Sequence, residues 1–205
     1  MGLYTKVVLP PLIDLVMHSG DASHLRAAWV PLARGQVLEV GIGPGLNLPH
    51  YSSLVQRVFG VDPSPWLLHM ARKRARTCKV PVELFLQSAE TPLPLGDASI
   101  DTVVMTWTLC SIPDVARALQ QMRRVLGPSG QLIFVEHGHA PDPDVARWQR
   151  RLTPAWKHVS GGCHMDRQVD TLITAAGFQI TELQADYLHG PRLLTYTYQG
   201  CARPQ

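Results

Sequence analysis

The 205 residues hold four cysteines, and none of them forms a C-x-x-C pair. Cys78, Cys110, Cys163 and Cys201 lie far apart in the chain. This leaves no framework for a disulfide scaffold or a structural zinc site, so a reducing, cytoplasmic setting without a metal centre is expected. Charge is equally sparse, at 17% of residues with a net of +3, and no long basic run occurs. That argues against a nucleic-acid partner. No apolar run nears the roughly 20 residues of a membrane span. Lys6 precedes only a short run broken by Pro10 and Pro11, so no signal peptide is expected.

What the chain does have is concentrated in Gln36 to Gly45, Gln-Val-Leu-Glu-Val-Gly-Ile-Gly-Pro-Gly. Val37 to Val40 reads as a buried strand, followed at once by Gly41, Gly43 and Gly45; Asn47 to Gln56 is expected to start a helix. A glycine turn after the first strand of an open α/β sheet lets backbone N–H groups approach a nucleotide-like ligand. A dinucleotide fingerprint wants its last glycine where Leu46 stands, and Glu39 precedes the first glycine. Both features point away from NAD and toward S-adenosylmethionine. A second strand, Val58 to Asp62, ends in an acid at the interval expected for a ribose diol. Pro63 and Pro65 also make Asp62 a candidate helix cap.

Further strands are expected at Val82–Leu86, Thr102–Thr106, Gln131–Val135, Phe178–Leu183 and Leu193–Tyr198. Amphipathic helices fall between them. One carries Leu67, Met70, Ala71, Ala75 and Cys78, with Arg72, Lys73, Arg74, Arg76 and Lys79 on a solvated face. Another runs from Val115 to Leu126, closed by Gly127 and Pro128, and a third ends at Gly177. Pro141 to Pro154 reads as an amphipathic insertion. Ser88 to Glu90, at the exit of the third strand, suits an adenine edge, and Trp107 to Cys110 falls at the carboxyl end of the fourth, where open sheets bind ligands. Ahead of Gln36, Leu9, Leu12, Ile13 and Val16 make one helical stripe, and a second short helix carries Leu25, Ala28 and Trp29. Residues 1–35 are read as a helical cap on a domain spanning 36–205. Residues 2–17 are expected to close the acceptor side as a lid, with core packing or weak membrane-surface contact as the other readings.

With these residues assembled, the chain resembles class I S-adenosylmethionine-dependent methyltransferases of the type-11, quinone-biosynthesis-like group. The carrying motifs are Glu39-Val-Gly-Ile-Gly-Pro-Gly45, Val61-Asp62-Pro63-Ser64, Ser88-Ala89-Glu90 and Arg124 to Gly130. It is more closely similar to the methyltransferase-like 7 thiol methyltransferases through Thr108-Leu-Cys-Ser111, Glu136-His137, Leu152 to Trp156 and Gly162-Cys163. The resemblance implies a Rossmann-like α/β fold with a seven-stranded, mostly parallel sheet in the order 3-2-1-4-5-7-6, the last strand antiparallel. It implies that Gly41, Gly43 and Gly45 face the methionine half of S-adenosylmethionine, with Glu39 before them also counted among the cofactor-binding residues. Asp62 would serve the cofactor's ribose, with Pro63 next to it also counted as cofactor-binding; Ser88, Ala89 and Glu90 would serve its adenine, and Trp107, Thr108 and Leu109 would lie beside its sulfonium.

The expected acceptor is a small, largely apolar nucleophile, a thiol first and a lipid amine or quinol second. His137 and His164 are the candidate bases, each also readable as a structural histidine. Trp107, Trp148 and Trp156 are candidate walls of the acceptor pocket. A non-catalytic protein that only binds a nucleoside cofactor is the remaining alternative.

Overall fold

A computed structural model describes residues 9–18 and 20–205; the segment Gly2–Val8 of the expected lid lies outside them. Seven strands form one sheet in the order β3-β2-β1-β4-β5-β7-β6. They are β1 Gly35–Val40, β2 Val55–Asp62, β3 Val82–Leu86, β4 Ile100–Thr106, β5 Leu126–His137, β6 Phe178–Tyr187 and β7 Tyr196–Pro204. β1 to β5 pair in parallel, whereas β7 runs antiparallel to both β5 and β6.

Central strands buried on both faces read as nearly continuous apolar runs, and Val37, Leu38 and Val40 are almost fully enclosed, with Glu39 the enclosed polar exception. One face carries α2 (Gly20–Trp29) and α3 (Pro65–Ala75), whose Leu25, Trp29 and Leu68 pack with Val37, Val58 and Val135. The other carries α4 (Val115–Val125) and α6 (Val169–Ala175), whose Leu119, Met122 and Ile173 pack with Leu38, Val103 and Phe134. α5 (Pro143–Val159) lies beyond the carboxyl end of β5. Its buried Gln149 donates to Gly138 O and Leu193 O and accepts from Ala140 N.

α1 (Leu9–Met17) stands apart. Leu9 is buried near Gly161, but Leu12 and Val16 are 45% and 59% exposed, so the expected stripe is only partly covered. Two arginines hold the helix: Arg74 donates to both carboxylate oxygens of Asp14 (3.0 and 3.1 Å) and to Pro44 O (2.7 Å), and Arg26 donates to Met17 O (2.6 Å). Arg74 is therefore a tie between α1 and the glycine loop rather than part of a solvated face.

Several local expectations are corrected. The segment after Gly45 forms a single 3-10 turn, Leu48–His50, instead of a helix. Pro49 sits in the first turn, where a helix tolerates proline; the turn ends because Tyr51 is already extended, at ψ 129°. Leu193–Tyr198 divides into a helical turn, α7 (Arg192–Thr195), and the start of β7. α4 ends on Leu126 in extended geometry and passes directly into β5, without the left-handed glycine cap expected at Gly127. Gly177 does close α6 with φ +82°. Ala28 faces solvent, whereas Ala22, Leu25, Arg26 and Trp29 form the buried face of α2.

Candidate functional site

β1, β2, β4 and β5 all deliver site residues at their carboxyl ends. The three glycines have different local reasons. At Gly41 (φ +66°) a Cβ would lie 2.3 Å from the Thr108 side chain, so this glycine lets the loop seat against β4. At Gly45 (φ +85°) a Cβ would press on Leu48 and on Ala71 of α3. At Gly43 (φ +54°) a Cβ would meet, among the described residues, only Gly41 O, at 3.8 Å; its N–H donates to Asp62 Oδ2 at 3.0 Å. Gly43 is thus the glycine that leaves an open cradle.

Asp62 is 6% exposed and accepts from Gly43 N and Ser64 N, one bond on each oxygen. Each oxygen keeps a second lone pair for a diol. Burial pushes its carboxyl up to about 6, against those two backbone bonds. Pro63 beside it is exposed. At the exit of β3, Ser88 Oγ donates to Glu90 Oε2 (2.8 Å), and Glu90 Oε1 accepts from Asp114 N at the start of α4 (2.5 Å). Ala89 is buried in the core. Glu90 therefore ties two loops together beside the backbone of Asp62, whose carbonyl accepts from Gln87 N.

Glu39 does not point into open space. Its carboxylate accepts from Tyr51 OH (2.7 Å) and Asn47 Nδ2 (2.9 Å), fully enclosed. Burial raises it to about 7, opposed by those hydrogen bonds and by the charge of Arg26. The folded chain consequently binds more protons here than the unfolded chain between its ordinary 4.5 and about 7. This contribution to stability is complete below the lower value and lost as pH rises through the upper one. The stability advantage of wild type over Glu39→Gln should therefore shrink from about pH 5 to about pH 8 in urea titrations. An advantage that does not change with pH would mean that Glu39 is ionised throughout.

Two residues missed in the sequence complete this corner. Arg26, 4% exposed, donates through Nη1 to Met17 O (2.6 Å) and lies over the Trp107 ring at 4.8 Å, but its Nε has no partner. Asn47, 2% exposed, also donates to Thr106 Oγ1 (3.1 Å), and its Oδ1 has no partner. The signal for Arg26 was present: Ala22, Leu25, Arg26 and Trp29 fall at i, i+3, i+4 and i+7, placing a cation on an apolar face. These unfilled groups, the Gly43 cradle and the Asp62 carboxylate fit a nucleoside carrying an amino acid, which is the shape of S-adenosylmethionine.

On the acceptor side, buried Glu136 gathers the backbone N–H groups of Thr108 (2.8 Å), Leu109 (2.9 Å) and Cys110 (3.3 Å). Burial raises Glu136 to about 7, opposed by those bonds. Arg167 Nη1 donates to Leu109 O from the opposite side. Trp107 is held with φ +50° by a bond from its N–H to Val135 O (2.7 Å). His137, 6% exposed, faces Cys163 Sγ through Nδ1 at 3.5 Å and leaves Nε2 unpartnered. The Cys110 thiol and then His137 draw the Cys163 thiol down from its ordinary value, against burial. His164 sits beside Cys163, but its main-chain N–H is what fixes the loop, donating to Cys110 O (2.8 Å). Its ring, lowered by burial, is 3.9 Å from Asp166. Trp156 belongs to this group, whereas Trp148 is 50% exposed.

Among the described residues no cluster suits a metal ion, and no helix is long and apolar enough to cross a membrane.

Comparison with known proteins agrees with this geometry. A methyltransferase domain family matches residues 38–134. Thiol S-methyltransferase TMT1B of Rattus norvegicus is 36% identical over 72% of the chain, which spans 62% of that protein's length. The Homo sapiens TMT1B is 35% identical over 89% of the chain and 76% of its own length. A phosphatidylethanolamine N-methyltransferase of Cereibacter sphaeroides is 37% identical over 76% of each chain. In fold, a crystal structure of a possible histamine N-methyltransferase from Thermotoga maritima superposes with a TM-score of 0.67 at 23% identity, covering 98% of both chains.

Proposed function

Because the chain belongs to the class I S-adenosylmethionine-dependent methyltransferases, close to the thiol S-methyltransferases, we propose that its acceptor is a small, largely apolar thiol deprotonated by His137. The observation that carries this reading is the buried His137 ring. One nitrogen is engaged by Cys163 and the other has no partner.

When bound, S-adenosylmethionine supplies a methyl group on a sulfonium, an already activated carbon, so the protein need supply only alignment and a place for one proton. Alignment comes from the Thr108–Cys110 turn, which Glu136 fixes by three hydrogen bonds. With Cys163 as thiolate, Nδ1–H of His137 is the donor in that pair, and the lone pair sits on Nε2. Nε2 then takes the proton of the acceptor thiol, whose ordinary pKa near 8.5 makes this a small task. The negative sulfur of Cys163 stabilises the resulting imidazolium, the role a carboxylate plays behind other catalytic histidines.

A panel of thiols, amines and phenols with labelled cofactor tests the acceptor. Turnover of thiols is expected, and turnover of amines with no thiol product would overturn the proposal. His137→Ala should lower kcat/KM for alkyl thiols by about a hundredfold and affect already ionised aryl thiols less. Equal losses on both would make His137 a structural residue. A lipid amine is the second reading. It is favoured by the exposed Leu12, Leu15 and Val16 on α1 and by the likeness to a phosphatidylethanolamine methyltransferase.

A further inference from the structure

We propose that Arg26 and Asn47 together clamp the amino-acid end of the cofactor, Arg26 receiving its carboxylate and Asn47 Oδ1 its ammonium. The inference rests on the S-adenosylmethionine reading and adds to it two residues that lie outside every motif carrying the family resemblance.

Buried polar atoms ordinarily find partners, so two unpartnered ones beside the same carboxylate call for a cause. They are of opposite kind. Arg26 Nε is a donor on a cation, and Asn47 Oδ1 is an acceptor. The orientation of Asn47 is fixed by its surroundings, because its Nδ2 faces two oxygens, Glu39 Oε1 and Thr106 Oγ1. Reversing the amide would set its oxygen against a carboxylate. A donor cation and a free acceptor are the complement of an amino-acid zwitterion, which offers one carboxylate and one ammonium.

The placement agrees with that ligand. Asn47 follows the glycine loop by two residues, and Arg26 lies over Trp107 at the end of β4. Arg26, Arg74, Leu46, Pro49 and His50 line a cavity of about 220 Å³ between α2 and this loop. The two arginines differ in availability. Arg74 is engaged by Asp14 and Pro44, whereas Arg26 has only the bond from Nη1 to Met17 O among the described residues. Bracing α1 thus accounts for one nitrogen of the guanidinium and leaves the rest of the fork to a ligand.

Isothermal titration of the full chain with three ligands tests this: S-adenosylhomocysteine, its decarboxylated analogue and its deaminated analogue. Wild type should bind the parent compound about 10- to 100-fold tighter than either analogue, the factor carried by hydrogen bonds to charged groups. Arg26→Met should bring S-adenosylhomocysteine down to the level of the decarboxylated analogue and leave that analogue within about threefold. Arg26→Lys should recover part of the difference. Wild type that binds all three equally overturns the clamp, whether or not the methionine variant folds. Equal weakening of S-adenosylhomocysteine and the decarboxylated analogue by Arg26→Met overturns it too, leaving Arg26 as a brace for α1. Wild type that binds none of the three removes the cofactor reading itself, and the clamp with it.

Discussion

Gly43→Val should weaken S-adenosylhomocysteine binding by more than about 3 kcal/mol while most of the protein stays folded; Gly41→Ala should do the opposite. The two positions share left-handed backbone, at φ +54° and +66°, so both variants bear a strain of about 1–2 kcal/mol. They differ in what a new side chain meets. At Gly41 it strikes Thr108, which cannot step aside: its N–H is held by Glu136, and its hydroxyl is bonded to Gly41 O and Thr106 O. Overpacking there should bring the total stability loss to about 2–5 kcal/mol. At Gly43 the new atoms find, among the described residues, only an ordinary contact with Gly41 O, and they occupy the volume a ligand needs. Asp62→Ala should weaken binding by about 1.5–3 kcal/mol, because it removes a charged acceptor from the diol and also frees Gly43 N. Calorimetry paired with thermal unfolding separates the cases. A Gly43 variant that loses stability but binds normally would make it an ordinary turn glycine.

Glu136→Ala should lower the unfolding free energy by about 3–5 kcal/mol and abolish turnover in whatever remains folded. Three N–H groups lose their acceptor at once, two of them in bonds with no access to water, and no other acceptor for them is present among the described residues. For a chain of this size the loss corresponds to a drop in Tm of about 6–20 °C. Glu90→Ala is the internal comparison. Its bond to Asp114 N is exposed, so its removal should cost about 0.5–1.5 kcal/mol. Comparable losses for the two variants would show that the Thr108–Cys110 turn holds its shape without Glu136.

The strands that carry the ligand end of the sheet were legible because burial on both faces leaves a plain signature. Val37–Val40 and Val58–Asp62 are short, mainly apolar runs bounded by turn residues, and each falls within an observed strand; Val82–Leu86 also falls within one, but at the half-exposed edge of the sheet. The sheet order came from resemblance to a family, since periodicity alone does not say which strands are neighbours. Local expectation failed where two signals competed. After Gly45 a helix was expected, but the chain is already extended at Tyr51 and only a single turn forms. At Leu193 the β-branched and aromatic residues that follow were extended one turn too far toward Pro191.

The site was legible in its backbone and poorly legible in its side chains. The glycines, Asp62 and the Thr108–Cys110 turn lie at the carboxyl ends of β1, β2 and β4. What Glu39 and Glu90 actually bond could not be read from spacing, because their partners Tyr51, Asn47 and Asp114 come from loops whose path depends on the whole fold. The pairing of Cys163 with His137 likewise joins residues separated by 26 positions. Arg26 was missed as well, although its place on the buried side of α2 carried a signal.

Trp107 sets the demands of folding against those of the ligand. An indole at φ +50° is a conformation that glycine adopts freely and that a bulky residue resists. Glycine there would relieve strain and make the isolated fold easier to attain, yet it would remove the ring over which Arg26 lies. A library selected in the laboratory for heat resistance alone would accordingly drift toward glycine at this position, and its survivors would be sturdier proteins with a poorer grip on their ligand.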